Sequence, residues 1–250
     1  MPQVSIRHLT TYRYRNPVAF GEHRIMARPM ESFDQRVVHA DLIISPEPSL
    51  LRHVHDVSGA GVGVARFEGR ARTLSFEARI TVDHRPSPGL LLQHNDASIG
   101  AGPFAYEPDE AVELSRSLIR QHEDPVGEVE AWARRFLRPV GRTSLATPLA
   151  DMTHGIRRDC AYGLRLAGAP QTPLETLALR KGSCRDFAVL MIDACRSLGI
   201  AAQFVSGYVY SASRKSGRSG GGHTHAWVRA YLPGGGWCDF DPTPSSAPST

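Results

Sequence analysis

The hydrophobic period of this chain changes near residue 88, and that change constrains the fold more than any other feature. In Leu74-Ser75-Phe76-Glu77-Ala78-Arg79-Ile80-Thr81-Val82 the apolar residues fall on every second position, which predicts a strand with one buried and one wet face. Short β-rich runs at 4–14, 22–28, 37–45, 61–67 and 73–82 are punctuated by Pro46, Pro48, Ser58-Gly59-Ala60-Gly61 and Pro86-Ser87-Pro88-Gly89. That pattern predicts an antiparallel, sandwich-like sheet domain over residues 1–88. The chain has 250 residues, enough for this domain and a second one, 89–250, each with a core of its own.

Beyond residue 88 the period becomes helical. Pro108-Asp109 opens a run with Val112, Leu114, Leu118 and Ile119; Pro125 opens another with Val129, Trp132, Phe136 and Leu137; Pro148 opens a third with Leu149, Met152 and Ile156. Proline at or near a first turn suits all three. Two further helices are expected at 174–180 and 183–198, followed by strands at 201–210, 225–232 and 237–241. A polar Ser/Gly loop, 211–222, separates the first two of these strands. The predicted class is α+β, with no internal repeat.

Several functions are disfavoured by composition. The 29 Lys and Arg residues exceed the 25 Asp and Glu by only four and are scattered along the chain, so no nucleic-acid partner is expected. Apolar runs such as Gly89-Leu90-Leu91-Leu92 and Phe187-Ala188-Val189-Leu190-Met191-Ile192 are far short of the ~18 residues of a membrane span. No membrane association is expected either. The start, Met1-Pro2-Gln3-Val4, lacks the basic and apolar regions of a signal peptide, so the expected location is cytoplasmic, with reduced thiols. The four cysteines, Cys160, Cys184, Cys195 and Cys238, show no Cys-x-x-Cys spacing and must be judged singly.

Cys184 is the most informative of them. In Gly182-Ser183-Cys184-Arg185-Asp186-Phe187-Ala188, Ser183 and Asp186 form a capping-box pattern that places Cys184 in the first turn of a helix. Backbone N–H groups and the helix dipole at such a position favour thiolate over thiol, and could also hold an oxyanion. A free cysteine is more often a small buried hydrophobe. Helical spacing aligns Cys195 with Ala188, Met191 and Leu198, so Cys195 belongs to the core, and Asp186 is read as a cap.

A nucleophilic thiol needs a base, and the base needs an orienting group. In His225-Ala226-Trp227-Val228-Arg229-Ala230-Tyr231-Leu232, alternation puts His225 on one face with Trp227, Arg229 and Tyr231. The turn Pro233-Gly234-Gly235-Gly236 returns the chain as Trp237-Cys238-Asp239-Phe240-Asp241, bringing Asp241 back toward His225. Taken singly, such a histidine is usually filler and an Asp before Pro usually a turn former. His223 and His225 with a cysteine would suit zinc, but no third histidine or acidic ligand lies at useful spacing. No metal or other cofactor is expected, and no acidic cluster suggests calcium. Cys238 faces away from Asp241, and Cys160 lies at an uncertain boundary. Trp227, Trp237 and Tyr208 are candidate groove-lining aromatics. The loop 211–222, with Arg214, Lys215 and Arg218, is a candidate gate or acidic-substrate contact, although a solvated loop is the commoner case.

Together these stretches resemble the transglutaminase-like superfamily in its bacterial form with an extra N-terminal β domain. The resemblance rests on Gly182 to Ala188, on Leu198-Gly199-Ile200-Ala201-Ala202 with Val205-Ser206-Gly207-Tyr208, on His225-Ala226-Trp227-Val228, and on Gly236-Trp237 with Asp241-Pro242-Thr243. His8-Leu9-Thr10-Thr11-Tyr12-Arg13-Tyr14 and Asp56-Val57-Ser58-Gly59 extend it through the β domain. It implies a papain-like α+β core with Cys184 as nucleophile on a helix and His225 and Asp241 on adjacent strands. It also implies a lead-in helix at Thr172-Pro173-Leu174-Glu175-Thr176-Leu177, and Tyr162 lining the site. The expected chemistry is thioester formation on a glutaminyl or peptide amide, then transamidation or hydrolysis, with a protein or peptide as substrate. A cysteine protease or amidase without transferase activity and a catalytically silent peptide-binding module are the alternatives. Arg185 stands where many members carry Gln, and the chain ends soon after Asp-Pro-Thr, so one wall of the substrate groove is expected to be absent.

Overall fold

The computed structural model describes residues 3–85, 97–100, 102–138, 141–165, 168–209 and 223–244. The proline-rich edge at 86–89, the run at 89–92, the loop 211–222 and the Pro/Ser tail from 245 fall outside them. The chain divides into two compact units, Met1–Pro88 and Gly89–Thr250.

The first unit is all β: β1 (Gln3–Ala19), β2 (His23–Ile25), β3 (Gln35–Ser45), β4 (Leu50–His55), β5 (Gly61–Arg66) and β6 (Arg70–His84). They form two antiparallel three-stranded sheets, ordered β1-β6-β3 and β2-β5-β4. The alternation in β6 is realised directly, since Leu74, Phe76, Ala78, Ile80 and Val82 are buried and the intervening residues are not. Strand β4 escapes a reading based on periodicity. Its sequence Leu-Leu-Arg-His-Val-His does not alternate and only Val54 is half-buried, so pairing with β5, and not burial of a face, makes it a strand.

The second unit contains β7 (Ser98–Ile99), α1 (Pro108–Leu118), α2 (Glu128–Arg134), β8 (Thr143–Ser144), α3 (Ala146–Asp159), β9 (Ala161–Tyr162), α4 (Pro173–Leu179), β10 (Lys181–Gly182), α5 (Cys184–Ser197), β11 (Ala202–Val209), β12 (His223–Leu232) and β13 (Gly236–Phe240). Helix α5 is its centre. It packs on β11 and β12 and is flanked by α2, α3 and α4; Phe187, Ala188, Leu190, Met191, Ile192, Ala194 and Cys195 are all buried. A helix apolar on nearly every side is one enclosed on every side. Strands β11, β12 and β13 form one antiparallel sheet.

Two helix starts differ from the proline rule. Helix α2 begins at Glu128 and not at Pro125, because Gly127 is left-handed with φ 73° and the Asp124 carboxylate accepts from the Val129 and Glu130 N–H groups at 3.4 and 3.2 Å. Helix α3 begins at Ala146, two residues before Pro148, which is tolerated because first-turn N–H groups have no helical acceptor.

The turn leaving α5 requires glycine. Gly199 has φ +74°, and a Cβ there would collide with the Phe104 carbonyl, whose residue donates its N–H to Leu198 O at 2.7 Å. Gly199→Ala combines a left-handed penalty of ~1–2 kcal/mol with overpacking of ~1–3 kcal/mol. Chemical denaturation is expected to show a loss of roughly 2–5 kcal/mol; a loss below ~0.5 kcal/mol would contradict this account of the turn.

Candidate active site

The position of Cys184 is set by one buried carboxylate. Ser183, in extended backbone with φ −94° and ψ 177°, precedes the helix. Asp186 Oδ2 accepts from the Ser183 N–H at 2.7 Å and its hydroxyl at 2.8 Å. Oδ1 accepts from the Gln171 N–H at 2.7 Å, and Arg165 lies at 3.3 Å. Asp186 is 1% exposed. Burial alone would raise its pKa, but these donors, Ser183 and Gln171 foremost, hold it below the usual carboxylate range. Cys184 is half-buried, whereas Cys160, Cys195 and Cys238 are buried.

His225, 6% exposed, sits at the start of β12 and meets both partners. Its Nε2 lies 2.9 Å from Asp241 Oδ2, leaving Nδ1 for the thiol, with which the ring is hydrogen-bonded. Burial pushes the Cys184 pKa up, but the hydrogen bond and charge of His225, with the Ala226 and Arg185 N–H groups, bring it below the ordinary thiol value. Burial likewise disfavours the imidazolium, but Asp241 and Cys184 together raise His225 to about 9. The two shifts are opposite in sign and favour the thiolate–imidazolium pair. The buried thiols go the other way: Cys195 is pushed up to about 12 by burial, and Cys160 and Cys238 are raised for the same reason.

A second layer holds Asp241. Thr243, 1% exposed, donates to Asp241 Oδ1 from its N–H at 2.9 Å and its hydroxyl at 2.7 Å. Oδ2 is therefore left to His225. Burial would raise the Asp241 pKa, but His225 and Thr243 lower it. Arg157, near the end of α3, donates to the Asp241 carbonyl at 2.5 Å. Neither Thr243 nor Arg157 was singled out from the sequence. The Asp-x-Thr contact is an Asx-type turn and could have been anticipated, but nothing local marks Arg157, which is 84 residues from Asp241.

The four candidate aromatics stand in different surroundings. The Tyr162 hydroxyl is hydrogen-bonded to Cys184 and its ring meets Phe187 edge-on at 6.2 Å. Trp227 stacks beside His225 at 6.0 Å and 26°, a seat made possible by Gly207, where a Cβ would come within 2.6 Å of the indole. Trp237 instead pairs with Tyr231 in register, with its ring against Tyr231 at 5.5 Å and under Arg229 at 5.1 Å. It is six positions from His225 along β12 and is not brought to the thiol. Tyr208 pairs with Thr224, beside the Gly207–His225 pair, and is half-buried. Among the described residues no three His, Cys, Asp or Glu side chains come together as a metal site, and no helix among them is long and apolar enough to cross a membrane.

A buried helix presenting a thiol at its start, beside a sheet that supplies an imidazole and a carboxylate, defines a papain-like architecture. A solved structure of a proposed cysteine protease from Cytophaga hutchinsonii shares it with TM-score 0.70 and 20% identity, covering 96% of this chain and 76% of that one. The bacterial transglutaminase-like N-terminal region matches residues 4–83, and the transglutaminase-like superfamily core matches residues 138–242. An uncharacterized protein of Mycobacterium leprae is 38% identical over 264 residues, covering 97% of this chain and 84% of its own. An uncharacterized protein of Mycobacterium tuberculosis strain H37Rv is 30% identical over 251 residues, covering 95% and 77%. The chain belongs to the transglutaminase-like superfamily.

Two measurements check the electrostatics. Iodoacetamide labelling of Cys184 should plateau from near neutral pH to about 9, where His225 loses its proton, while Cys195 stays unlabelled; His225→Ala should slow labelling at pH 6.5 by on the order of 10-fold. Thr243→Val should slow labelling at the same pH by ~10-fold, the worth of a hydrogen bond to a charged group, and Thr243→Ser should restore it. Equal labelling in wild type and Thr243→Val would exclude Thr243 as a positioning residue.

Proposed function

We propose that the protein is a cysteine acyl-transfer enzyme acting on amides, with Cys184 as nucleophile, His225 as proton carrier and Asp241 as the orienting carboxylate. The observation that carries this reading is the single imidazole hydrogen-bonded on one side to a depressed thiol and on the other, at 2.9 Å, to a carboxylate. The Cys184 thiolate attacks the carbonyl carbon of the amide, and the carbonyl electron pair moves to oxygen. The Tyr162 hydroxyl, which reaches the sulfur, supplies a donor to that oxygen, where stabilisation of developing charge contributes most. As the tetrahedral intermediate collapses, the C–N bond breaks and the His225 imidazolium gives its proton to the departing nitrogen. A thioester on Cys184 and a free amine or ammonia remain.

Neutral His225 then takes a proton from the acceptor, an amine or water, as it attacks the thioester. The products are a new amide or a carboxylic acid, and the thiolate–imidazolium pair is regenerated. Asp241 keeps the imidazole in the tautomer that faces the sulfur. A protein or peptide amide is the proposed substrate class.

The test offers glutaminyl peptides with and without a primary amine while ammonia release and amine incorporation are followed. Ammonia release with a covalent acyl adduct at Cys184 is expected, lost in Cys184→Ala and reduced by on the order of 10²–10⁴ in Asp241→Asn. Amine incorporation without acid product identifies a transferase, acid product alone a hydrolase. Peptides left intact, with no adduct on Cys184, would overturn the reading in favour of a binding module.

A further inference from the structure

We infer that the first unit binds a small amphipathic carboxylate, an apolar chain or ring ending in one carboxylate group, in a cavity between its two sheets. The inference stands apart from the chemistry proposed for Cys184.

The cavity has a volume of about 270 Å³, which suits a small molecule and not a folded partner. Ala40, Leu42 and Ile80 line it from the first sheet, and Ile25, Gly61 and Gly63 from the second. Strand register explains why these residues meet. Ala40 stands opposite Ile80 and Leu42 opposite Ala78, so they share the side of the first sheet on which β6 is buried. In the second sheet Gly63 stands opposite both Ile25 and His53, and Gly61 opposite His55. The two sheets come together at Gly63, where a Cβ would fall 2.9 Å from Leu42 Cδ2. Two positions earlier, at Gly61, the nearest atoms are instead Cδ, Cβ and Cγ of Arg28, at 3.4, 3.6 and 3.8 Å from such a Cβ. The Arg28 chain therefore lies over Gly61, where a larger residue would displace it.

Polar groups enter the cavity from one set of residues. Arg28, His53 and His55 line it, and all three are exposed. His53 and His55 are two apart on β4 and so point to one side, which is the side of their partners Gly63 and Gly61. The inner faces of a sandwich ordinarily carry apolar residues. Here a guanidinium and two imidazoles stand beside an apolar cleft instead. Among the described residues no side-chain hydrogen bond or ion pair joins any of these three to another residue. Asp41, the carboxylate on the lining, is taken up by His39 Nε2 at 2.9 Å. The Arg28 charge is thus left uncompensated, with an N–H donor available on each neutral imidazole. A planar guanidinium fork is matched by a carboxylate, and the apolar walls behind it by a hydrocarbon body.

The test titrates the full chain with octanoate, below the concentration at which it forms micelles, and follows binding by calorimetry and ligand-observed NMR. Octylamine, with the same chain and the opposite charge, is the comparison. Octanoate is expected to bind on the order of 10-fold more tightly than octylamine, the worth of a hydrogen bond to a charged group. Arg28→Gln should remove that preference, weakening octanoate by ~10-fold and leaving octylamine unchanged. Ala40→Leu, which fills the cavity, should abolish binding of both, with thermal unfolding used to establish that the variant is folded. Arg28 is exposed, so Arg28→Gln decides the outcome even if Ala40→Leu does not fold. Absence of octanoate binding to the wild type overturns the proposal, as does octylamine binding equally well. Octanoate binding that persists undiminished in Arg28→Gln, or in folded Ala40→Leu, overturns it too.

Discussion

One buried carboxylate decides where the Cys184 sulfur lies. Asp186 collects the Ser183 N–H and hydroxyl, the Gln171 N–H and the Arg165 guanidinium around two oxygens. An ionised group this deeply buried persists only when every lone pair is used. The helix start, the chain preceding α4 and the segment after β9 therefore meet at one point, and Cys184 and Tyr162 come into register beside it. A cap read locally as a device for starting a helix is also the junction of three chain segments.

The chemistry of the sulfur then follows from unequal burial of equal groups. Four thiols lie in the same unit, and for all four burial favours the protonated form. Only Cys184 has an imidazole and two backbone N–H groups facing it, and only there is the sign reversed. Cys195, on the same helix and three turns deeper, has no imidazole beside it and burial holds it protonated. The alternation of β12 and the tight return to β13 bring His225 and Asp241 together, and Thr243 assigns one carboxylate oxygen to itself so that the other serves the ring. Cys184 sits on the most enclosed helix of the unit, so its geometry is tied to the core and not to a loop.

Much of this was legible in the chain. The capping pattern at Ser183 and Asp186 placed Cys184 at a helix start because caps are local. The period-two stretch through Leu74 to Val82 became a half-buried strand because alternation admits one solution when a face is covered. The elements that were misjudged depended on pairings that hydrophobic period does not register. Strand β4 exists through its pairing with β5, and α2 starts late because Asp124, four residues upstream, takes over its N–H groups.

Residue types and spacings therefore determined which groups would come together: a thiol at a helix tip, a histidine near the start of a strand, and an aspartate beyond the return turn. Tertiary structure decided where the candidate aromatics stand, with Trp227 stacked beside His225 and Trp237 against Tyr231. Strand twist and register assign a side chain to a face and a depth that composition cannot specify. It also decided that Arg157 and Thr243 support Asp241, and that the Arg185 guanidinium is held by the Arg165 and Gly168 carbonyls. Contacts between residues far apart in sequence are set by how helices and sheets close over a shared core, and the energy that selects one closure is summed over the whole unit.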